Sequence, residues 1–134
     1  MKAWIAGLAL ALGIAGSAQA APVDTGHVKI DLVAASTAAP GKTVQIALRQ
    51  QIAPGWHTYW RNPGSAGQAT EIAWTLPAGY KAGDIVWPAP RQLPLGPLMN
   101  YGFENGVLLT TPVAAPASAR PGSTIQVSAL VRML

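Results

Sequence analysis

The densest group of chemically capable side chains is Pro54-Gly55-Trp56-His57-Thr58-Tyr59-Trp60-Arg61-Asn62-Pro63-Gly64. Three large aromatics, an imidazole and a guanidinium fall within this short run. Aromatic faces stack on sugars and other planar groups, and His and Arg supply polar contacts beside them. The block therefore offers a stacking platform with donors. The same residues also suit a core strand running into an Asn-Pro-Gly turn.

Other chemistry finds little support. The chain has no cysteine, which excludes a disulfide framework, a Cys-ligated zinc site, an iron–sulfur cluster and a cysteine nucleophile. His27 and His57 stand on separate predicted strands, so a metal site would need them to converge and recruit a third ligand. Met99 and Met133 are possible copper-binding thioethers, but core or loop packing accounts for both. No metal site and no cofactor are expected. Glu71, Asp84 and Glu104 are isolated acids. No Gly-x-Ser-x-Gly elbow and no phosphate-cradling glycine loop occurs. The net charge of +4 comes from singly scattered bases, which argues against nucleic-acid binding.

The elements that would position these side chains read as strands. Val28, Ile30 and Leu32 alternate with polar neighbours, as do Val44, Ile46 and Leu48, the two-residue period of a half-buried strand. Glu71–Leu76 and Thr124–Val131 repeat the pattern, and Asp84–Trp87 predicts a short strand stopped by Pro88. Asn105-Gly106, between Tyr101–Glu104 and Val107–Thr110, predicts a hairpin with a type I′ turn. Gly55–Arg61 is predicted extended, with Trp56, Thr58 and Trp60 on one face and His57, Tyr59 and Arg61 on the other. Residues 114–120 read as a loop. Fourteen glycines and twelve prolines punctuate the chain and disfavour long helices. The fold class expected is an all-β sandwich.

Met1-Lys2, the apolar run Ala3–Gly16 and Ala18-Gln19-Ala20 form a three-part export signal. Its apolar run is too short to span a bilayer. The predicted organisation is a signal peptide at 1–20, cleaved after Ala20, and one domain at 21–134, with no membrane span.

The block at 54–64 resembles a motif of the N-terminal periplasmic domain of DsbD-type protein-disulfide reductases, including ScsB-like proteins. Ile72–Tyr80, Ile85–Pro90 and Asn100–Glu104 with Val107–Leu109 match the same family in order. Ser65-Ala66 departs from the Asp-Ser that relatives commonly carry. The resemblance implies an immunoglobulin-like sandwich, C-terminally incomplete here, in which a redox cysteine pair takes electrons from a membrane-embedded reductase domain. The pair passes them to periplasmic thioredoxin-like proteins through mixed disulfides, a relay linked in the family to disulfide correction and cytochrome c maturation. In relatives the first cysteine follows a strand resembling Gln126–Leu134. No redox residue maps onto this sequence, so a truncated gene or incomplete gene model is expected, inactive by itself.

By resemblance, Trp56, His57, Tyr59, Trp60, Arg61 and Asn62 are motif residues with a structural role. Asn100, Tyr101 and Phe103 match a hairpin that covers the redox pair and meets the partner. The expected location is the periplasm. The alternative is a secreted β-sandwich binding module for a protein or a glycan.

Overall fold

The computed structural model describes residues 4–12, 21–34 and 38–134. Among these there is no helix, and eleven strands build the domain. They are β1 (Trp4–Leu12), β2 (Val23–Asp24), β3 (Val28–Ala34), β4 (Thr43–Ile52), β5 (Thr58–Gly64), β6 (Glu71–Thr75), β7 (Lys81–Ala82), β8 (Arg91–Leu95), β9 (Leu98–Phe103), β10 (Gly106–Ala114) and β11 (Ile125–Met133).

Three sheets form, ordered β2-β3-β4-β10-β7, β1-β11-β6 and β5-β9-β8. The predicted alternation places the core. Ile30, Leu32, Val44, Ile46, Leu48, Leu109 and Val113 point inward from the five-stranded sheet and are fully or almost fully buried. They join Val127, Ala129 and Val131 of β11 in one apolar cluster. The result is a sandwich, the solution for sheets that each have one apolar face. Ile72 and Trp74 of β6 are half-buried against the same cluster.

Asn105-Gly106 does not close a hairpin. Asn105 has the expected positive φ of 67°, yet β9 pairs with β5 and β8, whereas β10 pairs with β4 and β7. Both edges of each strand are taken, so the turn carries the chain from one sheet to another. The Asn105 carbonyl accepts the Ile52 N–H at 2.7 Å, which fixes this corner to the end of β4. The hairpin lies one strand earlier, where Leu95 opposes Leu98 across Gly96-Pro97. Gly96 supplies the positive φ, 59°, at the first turn position. Pro94 is tolerated because, among the described residues, no strand pairs with the outer edge of β8.

Asp84–Trp87 is not a strand; only Val86 makes a bridge, to Thr110. Pro88 and Pro90 follow at once and cannot donate to a ladder. Trp4–Leu12, within the run read as an export signal, lies antiparallel to β11 from Trp4–Met133 to Leu12–Ile125, with Leu8 buried. The Ala18-Gln19-Ala20 cleavage motif lies outside the described residues. Among the described residues no helix is long and apolar enough to cross a membrane.

Candidate functional site

Strand β5 begins at Thr58, so Trp56 and His57 precede it rather than sit in it. Trp56, expected on the inward face with Trp60, is 48% exposed and stacks on His27, with ring centroids 3.5 Å apart and planes 10° from parallel. Thr58 takes the inward place and is fully buried. Its hydroxyl donates to Gln50 Oε1 at 2.7 Å, and Gln50 Nε2 donates to Thr70 Oγ1 at 3.0 Å. Gln50 Nε2 also lies 3.8 Å from Met133 Sδ. This buried network ties β4, β5 and the end of β11 together, and buried polar atoms need such partners.

Past Tyr59, β5 bulges. Tyr59 pairs with Gly102 and Gly64 with Asn100, and residues 60–63 loop out between these pairs. Close backbone approach at Gly102 leaves no room for a Cβ, which would strike the Thr58 carbonyl. The bulge aims Trp60 at the core, where it is half-buried, with Tyr101 edge-on at 6.4 Å and the Arg61 guanidinium 5.1 Å from its ring centre. Among the described residues no group hydrogen-bonds the buried Trp60 Nε1. His57 meets Tyr59 edge-on at 4.9 Å, and Asn62 is exposed.

The loop after β5 is strapped to the β8–β9 hairpin. The Ser65 N–H donates to the Met99 carbonyl at 3.0 Å, and Ser65 Oγ accepts the Met99 N–H at 3.2 Å. Asn100, 1% exposed, accepts the Ala66 N–H through Oδ1 at 3.0 Å. Ser65-Ala66, the departure from the family pattern, therefore makes its contacts through one hydroxyl and backbone groups. Phe103 is buried and stacks parallel to Trp87 at 6.4 Å. Tyr101 is half-buried. Of the three residues assigned to the partner contact, two are inside the molecule and one reaches its surface. The hairpin tip instead exposes Leu95, Leu98 and Met99, an apolar group the sequence reading did not single out.

Beside this hairpin runs a groove of about 780 Å³, lined by Arg49, Gln51, Ala89, Arg91, Phe103 and Leu108 among others. Its cations already face carboxylates. Arg49 Nε donates to buried Asp31 Oδ1 at 2.8 Å, and Arg49 Nη2 pairs with Oδ2. The hydrogen bond and charge of Asp31 raise the Arg49 pKa above its ordinary value. Arg91 lies 3.7 Å from Glu104. A second cavity, small at about 40 Å³, brings Trp56, His57 and His27 against Met133 and Leu134 at the end of β11. Among the described residues no three His, Cys, Asp or Glu side chains cluster as a metal site.

The fold and the site define an immunoglobulin-like sandwich with an aromatic motif at one end of its last strand. Residues 29–132 match the family described as thiol:disulfide interchange protein DsbD, N-terminal, and the chain belongs to that family. The fold is similar to the crystal structure of the N-terminal periplasmic domain of ScsB from Proteus mirabilis, with a TM-score of 0.63 and 22% identity. The likeness covers 88% of this chain and 51% of that one, so the chain spans about half the length of the solved structure. No curated protein matches the chain.

Proposed function

We propose that the chain is the scaffold and partner-facing part of a periplasmic electron-relay domain for thiol–disulfide exchange. The observation that carries this reading is the small cavity where Trp56 and His57 meet Met133 and Leu134. In the family the first redox cysteine follows the strand corresponding to β11. A thiol joined after Leu134 would emerge beside the His57 imidazole, which can take its proton. The thiolate then attacks a partner disulfide, forming a mixed disulfide and expelling one partner thiolate. A second relay thiol attacks the mixed disulfide, leaving the partner reduced and the relay oxidised. Electrons from a membrane-embedded reductase domain restore the dithiol. These 134 residues contain no sulfur able to perform either attack.

In this reading the β8–β9 hairpin presents the partner surface. Tyr101 and the exposed Leu95, Leu98 and Met99 make the contact. Asn100 and Phe103 hold the hairpin in place from inside. The apolar tip suits a thioredoxin-like partner, because docking faces are richer in aromatic residues and Met than other surface. A photoreactive residue at position 101, in a chain extended with a relative's Cys-bearing segment, should cross-link a thioredoxin-like protein. Absence of any adduct, with the fold intact, would count against this surface.

A further inference from the structure

We propose that the groove beside the β8–β9 hairpin receives an extended, uncharged segment of another protein, which pairs as an added strand with the outer edge of β10. In an antiparallel strand the backbone groups of successive residues turn to alternate edges. On β10 the even-numbered residues turn away from β4. The Thr110 carbonyl accepts the Val86 N–H at 2.7 Å, and the Pro112 carbonyl accepts the Gly83 N–H at 2.8 Å. On the other edge the Asn105 carbonyl accepts the Ile52 N–H of β4. Leu108 is next in the even series, so its N–H and C=O point to the outer edge. β7 covers that edge at Val113 and Ala114, and Val86 bridges to it at Thr110. The position that would oppose Leu108 is then Pro88, which has no N–H to donate. Among the described residues no strand pairs with Leu108 on this side. Gly106, Val107 and Leu108 line the groove together with Pro88 and Ala89.

The character of this edge selects the occupant. Proteins blunt edges they do not use with proline or charge. The outer edge of β8 carries Pro94, whereas residues 106–109 of β10 carry neither. Leu108 is 53% exposed and Val86 62%, so apolar side chains stand in water along the edge. The cations of the lining do not call for an anion, because Arg49 is paired with Asp31 and Arg91 lies beside Glu104. A neutral strand therefore suits it. Main-chain hydrogen bonds to Leu108 would supply affinity, and every second side chain of the guest would lie beside the Leu108 side chain. The volume of about 780 Å³ falls in the range of ligand clefts.

The edge lies at the Arg91–Phe103 end of the hairpin, away from the tip, and needs no thiol, so its test is separate from that of the relay reading. The ¹⁵N-labelled 134-residue chain is titrated with a capped pentapeptide of alternating valine and threonine, following backbone amides by NMR. The expected result is a saturable downfield shift of the Leu108 amide, as its N–H gains an acceptor, with smaller shifts at Ala89 and Arg91. The fully N-methylated pentapeptide, which cannot donate, should cause none, and replacing its valines by glutamate should abolish binding. Leu108→Lys places a charge on the edge at an exposed position and should abolish the shifts. Leu98→Lys, at the hairpin tip, should keep them. Circular dichroism of each variant verifies its fold. No saturable shift in the parent chain would overturn the proposal, as would equal binding of the N-methylated or glutamate peptide, or undiminished binding by Leu108→Lys. A Leu108 shift that follows the concentration of the chain itself, and not that of the peptide, would make a second copy the occupant and overturn it equally.

Discussion

Replacing Gln50 by Leu tests whether a buried polar network, and not apolar packing alone, fixes β5 and the aromatic motif to the sandwich. Leu fills nearly the same volume, so the cavity contribution is small. The substitution removes the acceptor of the Thr58 hydroxyl and the donor to the Thr70 hydroxyl. Both threonines are at most 2% exposed, so water cannot take over. Leaving a buried hydroxyl unpaired costs about 1–2 kcal/mol, and two of them give about 2–4 kcal/mol. For a domain of this size that is a fall in Tm of about 8–16 °C. Urea unfolding followed by tryptophan fluorescence measures it as a drop in the midpoint at unchanged slope. Adding Thr58→Val to Gln50→Leu removes one orphaned hydroxyl and should return about 1 kcal/mol relative to the sum of the single changes. A loss below about 0.5 kcal/mol for Gln50→Leu, or strict additivity of the pair, would refute the network argument.

Trp60→Ala should lower stability by about 2–3 kcal/mol, somewhat below the cost of a fully buried Trp, whereas exposed Trp56→Ala should stay near neutral; denaturation midpoints compare them. Gly102→Ala should destabilise strongly because its Cβ meets the Thr58 carbonyl, and a soluble variant with an unchanged midpoint would contradict the β5–β9 register. Exported protein should have the mass of a chain beginning at Ala21, and a mass retaining residues 1–20 would refute cleavage. That processed chain lacks β1, so the β11 edge is open to strand pairing, and light scattering should show concentration-dependent association absent from the 134-residue chain.

The strands of the main core were legible because their alternation is strict. Val28, Ile30 and Leu32 and then Val44, Ile46 and Leu48 face inward as read. Gln50 continues that inward series between Leu48 and Ile52, and a polar residue in an apolar register was the available signal for the buried network. The β8–β9 hairpin was not legible, since Pro94 and Pro97 look like breakers unless one knows that β8 is an edge. Asn105-Gly106 gave the right local conformation and the wrong partner, because backbone angles at a turn do not say which edges are already filled. The inward place given to Trp56 failed because the strand starts two residues later. The motif at 54–64 was visible as chemistry. Its position against Met133 and Leu134 depends on non-local packing that no spacing in the sequence encodes.

The central claim is that this sandwich positions a thiol arriving after Leu134 for exchange, while the 134 residues themselves supply none. Stopped-flow reduction of a thioredoxin-like disulfide, comparing the 134-residue chain with a chimera carrying a relative's Cys-bearing segment after Leu134, tests it most directly. The account predicts no reduction by the unextended chain and second-order reduction by the pre-reduced chimera, weakened by Tyr101→Ala. Reduction by the unextended chain, or a folded chimera whose exposed dithiol exchanges with no thioredoxin-like partner, would contradict it.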